Sequence, residues 1–352
     1  MGRPGVGQSL TARALYFTAP SQVSVREEPI SPPAPGQVLV QTIVSAISPG
    51  TELLIYRGQA PTDIPVDETI TALAGAFAFP LRYGYAAVGR VIAVGSTAEE
   101  AWQGRLVFAF HPHASHFLGP PEALFPVPDA LSPEEAVFLP NMETAVNLLM
   151  DGHPAIGEQV VVFGQGVVGL LTTALLARFP LARLVTLDRF PSRRERSLAL
   201  GAHLSLDAGA PDALARLRAC LQGDHADAGA DLTYELSGNP GALDHAIAVT
   251  GFSGRIVIGS WYGQKRADLN LGGRFHRSRL RLISSQVSTL APEWGGRWTK
   301  RRRLQVAWDM LQQLRPAALI THRFPIAQAS RAYTLLDQHP EAALQVLLTY
   351  AH

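Results

Sequence analysis

The residues best suited to chemistry begin with Gly164-Gln165-Gly166-Val167-Val168-Gly169, which follows the apolar run Val160 to Phe163 and opens a second apolar stretch. A glycine turn of this spacing lets the backbone turn tightly and come close to a pyrophosphate. The first residues of the following helix, Val167 and Val168, then offer unpaired N–H groups to the phosphates. Asp188 ends the next apolar run, 19 residues after Gly169, where a carboxylate accepts hydrogen bonds from ribose hydroxyls. The same carboxylate repels a 2′-phosphate, so the expected cofactor is NAD, with NADP as the alternative if Arg189, Arg193 or Arg194 turns inward. Arg193 and Gly259, the latter at the end of the run Gly254 to Ser260, complete the expected cofactor contacts in this part of the chain.

A second group is His111-Pro112-His113-Ala114-Ser115-His116. With Glu52 or Glu143 as an oxygen ligand it is a candidate metal site. On an extended segment, however, His111 and His113 share a face and His116 points elsewhere unless the chain bends. The alternatives are that these rings are hydrogen-bonded or exposed and bind nothing, or that His113 or His116 donates a proton at a substrate cleft. Cys220 is the sole cysteine, which excludes an intrachain disulfide and any zinc site needing two thiolates. All but two of the 30 basic residues are arginine. They crowd between Arg274 and Arg303 with Trp294 and Trp298 among them, a set that can recognise a carboxylate-bearing or planar small molecule. A solvated helix start and loop is the plainer reading.

A chain of 352 residues suggests about two domains. Charged residues are 17% and hydrophobic ones 47%, which excludes disorder, and a net charge of +1 gives no reason to expect nucleic acid or an anionic membrane as partner. The start of the chain lacks an export signal, so the cytoplasm is the default. The uncharged run Val160 to Ala177 approaches the length of a membrane span, but its glycines favour a buried strand-turn-helix unit. Residues up to about 130 read as a β-rich domain. Ser132-Pro133-Glu134-Glu135 forms a capping box that opens helical material, interrupted near Pro140, to Asp151-Gly152. From Gln159, continuous apolar strands alternate with helices, the signature of a parallel sheet covered on both faces. An amphipathic helix with Leu304, Ala307, Trp308 and Leu311 on one face, two further strands and another helix follow residue 285.

In order, PGTELLIYRG near residue 50, YGYAAVGRVIAVG at 83–95, GRLVFAF at 104–110, METAV at 142–146, GQGVVG, and DLTYELSGNP at 231–240 resemble the medium-chain dehydrogenase/reductase family of alcohol dehydrogenases and quinone reductases. The resemblance implies an α/β chain. A GroES-like β-rich catalytic domain, residues 1–150 completed by 286–352, would accompany a Rossmann doubly wound dinucleotide-binding domain, residues 151–285. It implies an NAD(P)-dependent oxidoreductase acting on a small-molecule alcohol/carbonyl pair or activated double bond, and a homodimer or homotetramer. At the family's catalytic zinc positions stand Pro49, Tyr85, Ala86 and Pro140 or a neighbour, so no zinc is expected. Thr51 matches the family's proton-relay hydroxyl and Tyr85 replaces a ligand. Thr144 matches a position near the nicotinamide, and Tyr56 is a further candidate hydroxyl. A non-catalytic dinucleotide-binding sensor or structural protein, and a dehydrogenase with its metal moved to His111, His113 and His116, are the alternative readings.

If the Asp188 carboxylate repels a 2′-phosphate, NADH binds the protein more tightly than NADPH in a fluorescence titration; tighter binding of NADPH contradicts this role for Asp188.

Overall fold

The computed structural model describes residues 10–67, 69–221 and 228–351. It comprises two compact units, Met1–Phe138 with Arg315–His352, and Leu139–Leu314.

The first unit begins with an antiparallel pair, β1 (Leu10–Ala19) and β2 (Gln22–Ile30). β3 (Val38–Ile47), α1 (Pro49–Tyr56), β4 (Ala87–Val94), β5 (Leu106–Ala109), β6 (His116–Gly119), β7 (Leu124–Pro126) and the short helix α2 (Pro133–Ala136) follow. β3 is buried along nearly its whole length because it is central: β4 and β6 both pair with it, antiparallel. Val38, Val40, Ala87, Val91, Val107 and Phe117 form one apolar cluster of this unit. Ser132 caps α2 through the expected capping box with Glu135.

The second unit holds α3 (Leu139–Gly152), then β8 (Gln159–Phe163), α4 (Val167–Leu176), β9 (Arg183–Asp188), α5 (Pro191–Ala199), β10 (Leu204–Asp207) and α6 (Ala213–Cys220). It continues with β11 (Ala230–Glu235), α7 (Pro240–Val249), β12 (Thr250–Ile258), β13 (Arg281–Ser284) and α8 (Lys300–Leu314). The six strands lie in the order β10-β9-β8-β11-β12-β13, every neighbouring pair parallel. This is the doubly wound dinucleotide-fold order, with its switch point between β8 and β11. The uncharged run from Val160 is therefore β8 and α4, and among the described residues no helix is long and apolar enough to cross a membrane. The chain then returns to the first unit with β14 (Ile320–Pro325), α9 (Ala329–Gln338) and β15 (Gln345–Thr349), the last pairing antiparallel with β3.

The unit boundaries differ from the expected 150 and 286. α3 and α8 go with the parallel sheet because Leu148 packs with Val160, Val162, Tyr234 and Val257, and because a buried ion pair joins the two helices. Arg303 on α8 is fully buried; its Nε and Nη2 donate to Glu143 Oε1 on α3 at 3.1 and 2.9 Å. Its Nη1 also donates to Asn147 Oδ1 at 2.5 Å and to the Thr289 carbonyl at 3.0 Å. Burial raises the Glu143 carboxyl above its ordinary value, and the guanidinium opposes that shift. Arg303 is thus a strut rather than a substrate contact. Arg274, which donates to the Thr250 and Ala228 carbonyls, likewise fastens backbone.

Removing one partner of such a pair leaves a charge buried alone. Arg303→Met lowers stability in urea unfolding by about 3 kcal/mol, and adding Glu143→Gln recovers part of the loss. A single variant as stable as the parent contradicts this account.

Candidate functional site

In the second unit, the register sets Phe163 beside Leu187 on one side and Glu235 on the other. Gly164, Asp188 and Leu236, the next residue of each strand, thereby meet at the carboxyl edge of the sheet, at the switch point where open α/β sheets bind ligands. Gly164 has φ +90°, and a Cβ there would lie 2.6 Å from the Ser237 Cα. At Gly169 a Cβ would lie 2.0 Å from the Gly164 carbonyl oxygen. Only glycine fits either position. Gly166, by contrast, faces open space and caps α4 with no side chain, so the first N–H groups of α4, at Val167 and Val168, are left for an anion.

Asp188 is buried, and its carboxylate accepts from the Gln165 N–H at 2.8 Å and the Phe190 N–H at 2.9 Å. The strand end and the glycine turn thus hold each other, and further lone pairs of the carboxylate remain for hydroxyls. The neighbouring arginines have other engagements: Arg189 and Arg193 lie over the Phe190 ring, and Arg194 donates to the Asp188 carbonyl and pairs with Asp207. Thr144 donates to the Pro140 carbonyl one turn back at 2.8 Å. Gly259 lets β12 pass close to Leu148 and Leu236, each of which a Cβ would meet at 2.7 Å. These residues fit a dinucleotide.

One feature here was not foreseen. Glu235, fully buried at the end of β11, accepts from the Ser237 N–H at 2.8 Å and from the Tyr262 hydroxyl at 2.5 Å, tying the loop after β12 to the edge of the same crevice. Its single-letter context ELSG gave no sign of Tyr262, 27 residues further on.

In the first unit, Ser48 precedes Pro49 at the start of α1. Tyr85 donates to Ser48 Oγ at 2.5 Å and lies 3.4 Å from Thr51 Oγ1. The expected pair Thr51 and Tyr85 therefore meet, with Ser48 as an unexpected third hydroxyl. Burial raises the Tyr85 phenol above its ordinary value against the lowering effect of these two hydrogen bonds, so it keeps its proton at neutral pH.

Below this group Glu52 is fully buried. Its Oε1 accepts from the Ser48 N–H at 2.8 Å, and its Oε2 faces His113 Nε2 at 3.0 Å and accepts from the Tyr333 hydroxyl. His113 Nδ1 is 2.7 Å from Ser45 Oγ, which is 2.7 Å from the Tyr350 hydroxyl. Both nitrogens of His113 are engaged and its side chain has no exposure, so it does not stand free as a proton donor to substrate. Tyr56 is packed in the core, stacked on Tyr333.

The histidine segment does not gather a metal. His111 stacks on Phe117 and burial lowers its ring to about 3, leaving it neutral. His113 faces Glu52, and His116 contacts Ser115. Among the described residues, no group of three or more His, Cys, Asp or Glu side chains is placed to hold a metal ion. The relocated-metal reading fails on this point. Pro49, Tyr85 and Ala86 carry no zinc-binding side chain of the usual N, S or carboxylate type, and near Pro140 the carboxylate of Glu143 is held by Arg303, so these residues do not fit the metal that the resemblance implies.

No family model matches the chain. Over 93% of its length it is 25% identical to the uncharacterized zinc-type alcohol dehydrogenase-like protein YphC of Escherichia coli K12, covering 96% of that protein. It is 23% identical to D-guloside 3-dehydrogenase of the same strain, over 96% of this chain and 100% of the other. Among solved structures, the RspB alcohol dehydrogenase of E. coli CFT073, complexed with NADH, superposes with a TM-score of 0.76 at 21% identity, covering 96% of this chain and 99% of that one. The parallel sheet of the second unit and the β-rich sheet of the first are the architecture of these enzymes. Along nearly its whole length the chain is similar to zinc-type alcohol dehydrogenase-like proteins, and it shares the fold of the solved alcohol dehydrogenase.

Proposed function

We propose that the protein is an NAD-dependent oxidoreductase that moves a hydride between nicotinamide and an alcohol/carbonyl pair or an activated double bond, without a catalytic zinc. The observation that carries this reading is the meeting of the glycine turn with Asp188 at the switch point of the parallel sheet. The amino-terminal N–H groups of α4 would hold the pyrophosphate and Asp188 the adenosine ribose. Arg193, Thr144 and Gly259 complete the proposed contacts. Bound nicotinamide supplies or accepts the hydride.

Charge that develops on the substrate oxygen then needs a partner, a task a metal performs as a Lewis acid. In this chain the hydroxyls of Tyr85, Ser48 and Thr51 take it over. Tyr85 donates its proton to the oxygen as the hydride reaches the carbon, and the phenolate left behind takes a proton that originates in bulk water, relayed by Ser48 and Thr51, which lie within hydrogen-bond reach of the phenol and regain the protons they pass on. For alcohol oxidation the proton runs the other way. His113 acts from beneath, through Glu52, and the site of chemistry is the hydroxyl group above it.

A screen of secondary alcohols, polyols, ketones and enones with NADH absorbance as readout should find turnover. On the best substrate, Tyr85→Phe lowers kcat about 100-fold and Thr51→Val about tenfold, with NADH binding unchanged. Wild-type rates in both variants overturn the relay, and a blank screen with intact NADH binding moves weight to a sensor.

A further inference from the structure

Glu52 plays no direct part in the proposed proton transfer, yet three parts of the chain converge on it. It lies on α1, its oxygens receive the Ser48 N–H and the Tyr333 hydroxyl of α9, and it faces His113. His113 in turn reaches the segment that carries Tyr85. Its own N–H donates to the Tyr83 carbonyl at 3.3 Å. Gly84, with φ +117°, lies so near the imidazole that a Cβ would sit 2.7 Å from Cδ2 and Nε2. The donor Tyr85 follows Gly84 directly, and the acceptor Ser48 is the residue whose N–H Glu52 holds. One buried pair therefore braces both sides of the same hydrogen bond.

We propose that Glu52 is a positioning residue for the reaction proposed above: with His113 as its buttress, it sets the Tyr85 hydroxyl against Ser48 and Thr51. The inference rests on that reading for its catalytic meaning, though the geometry it asserts can be tested alone. One placement of hydrogens that satisfies the whole network has Tyr350 donating to Ser45, Ser45 to His113 Nδ1, and Nε2–H to Glu52. A carboxylate so held has a fixed position, which a side chain shorter by one methylene cannot reproduce against both the Ser48 N–H and His113.

The test places a difluorotyrosine at Tyr85 in the full chain and follows its titration by fluorine NMR. The other ionisable groups near it are the edge-on Tyr83 ring at 6.1 Å and the carboxylates of Glu52 and Asp67. Glu52→Asp keeps the charge, so a purely electrostatic role leaves the midpoint in place. On ionisation of Tyr85 the Ser48 hydroxyl turns to donate to the phenolate, which lowers the phenol; if Glu52 positions the pair, Glu52→Asp loses that hydrogen bond and the midpoint rises. Ser48→Ala gives the same rise, and the double variant gives no more. Turnover in Glu52→Asp falls about tenfold in kcat with NADH affinity unchanged. Should Glu52→Asp not fold, Ser45→Ala, which frees one side of His113, decides the matter: a raised midpoint supports the proposal. An unchanged midpoint in the folded variant overturns it. The NMR measurement needs neither substrate nor cofactor, so a wild-type protein that turns over nothing weighs against the dehydrogenase reading and leaves the asserted geometry to the titration.

Discussion

A carboxylate removed from water costs several kcal/mol unless donors surround it, and Glu52 meets that constraint with donors drawn from three separate parts of the chain. The Ser48 N–H comes from the start of α1, His113 from the loop before β6, and Tyr333 from α9, which the chain reaches only after completing the second unit. The first unit therefore cannot close around Glu52 until its carboxyl-terminal segment has returned. Once closed, it brings together three hydroxyls, those of Ser48, Thr51 and Tyr85.

The second unit obeys a different constraint, the close approach of backbone to backbone at the glycine turn. Gly164 and Gly169 admit no side chain, and Asp188 fastens the turn by accepting the Gln165 N–H. The carboxylate thus has a structural task as well as the proposed recognition of ribose. The two N–H donors make the buried acidic residue compatible with its place, and the arginines after it lie over Phe190 or pair with Asp207 and the backbone. The two units thus fix their polar groups by different means, one by donors around a buried carboxylate and the other by backbone approach at glycines.

Local patterns in the sequence carried the parallel sheet, the glycine turn with Asp188 and the capping box at Ser132, because each depends on residues within about twenty positions of one another. The meeting of Thr51 with Tyr85 was legible only through the family resemblance. What escaped were contacts with no local signature. Tyr333 lies 281 residues from Glu52 and Tyr350 lies 305 from Ser45, and the pattern of neither neighbourhood marks them. Arg303 misled for the reverse reason: it sits in a run of basic residues that reads as a solvated or ligand-binding face, whereas its partner on α3 takes it inside. The histidine triplet looked like a ligand set by spacing alone, but its rings are distributed to Phe117, Glu52 and Ser115.

The central claim is that hydroxyls stand where a metal would act. It is tested most directly by measuring the zinc content of purified, catalytically active protein, before and after treatment with a strong chelator. The account predicts no more than a trace of zinc and turnover that survives the chelator unchanged. One tightly bound zinc per chain, with activity lost on its removal and regained on its return, would contradict it.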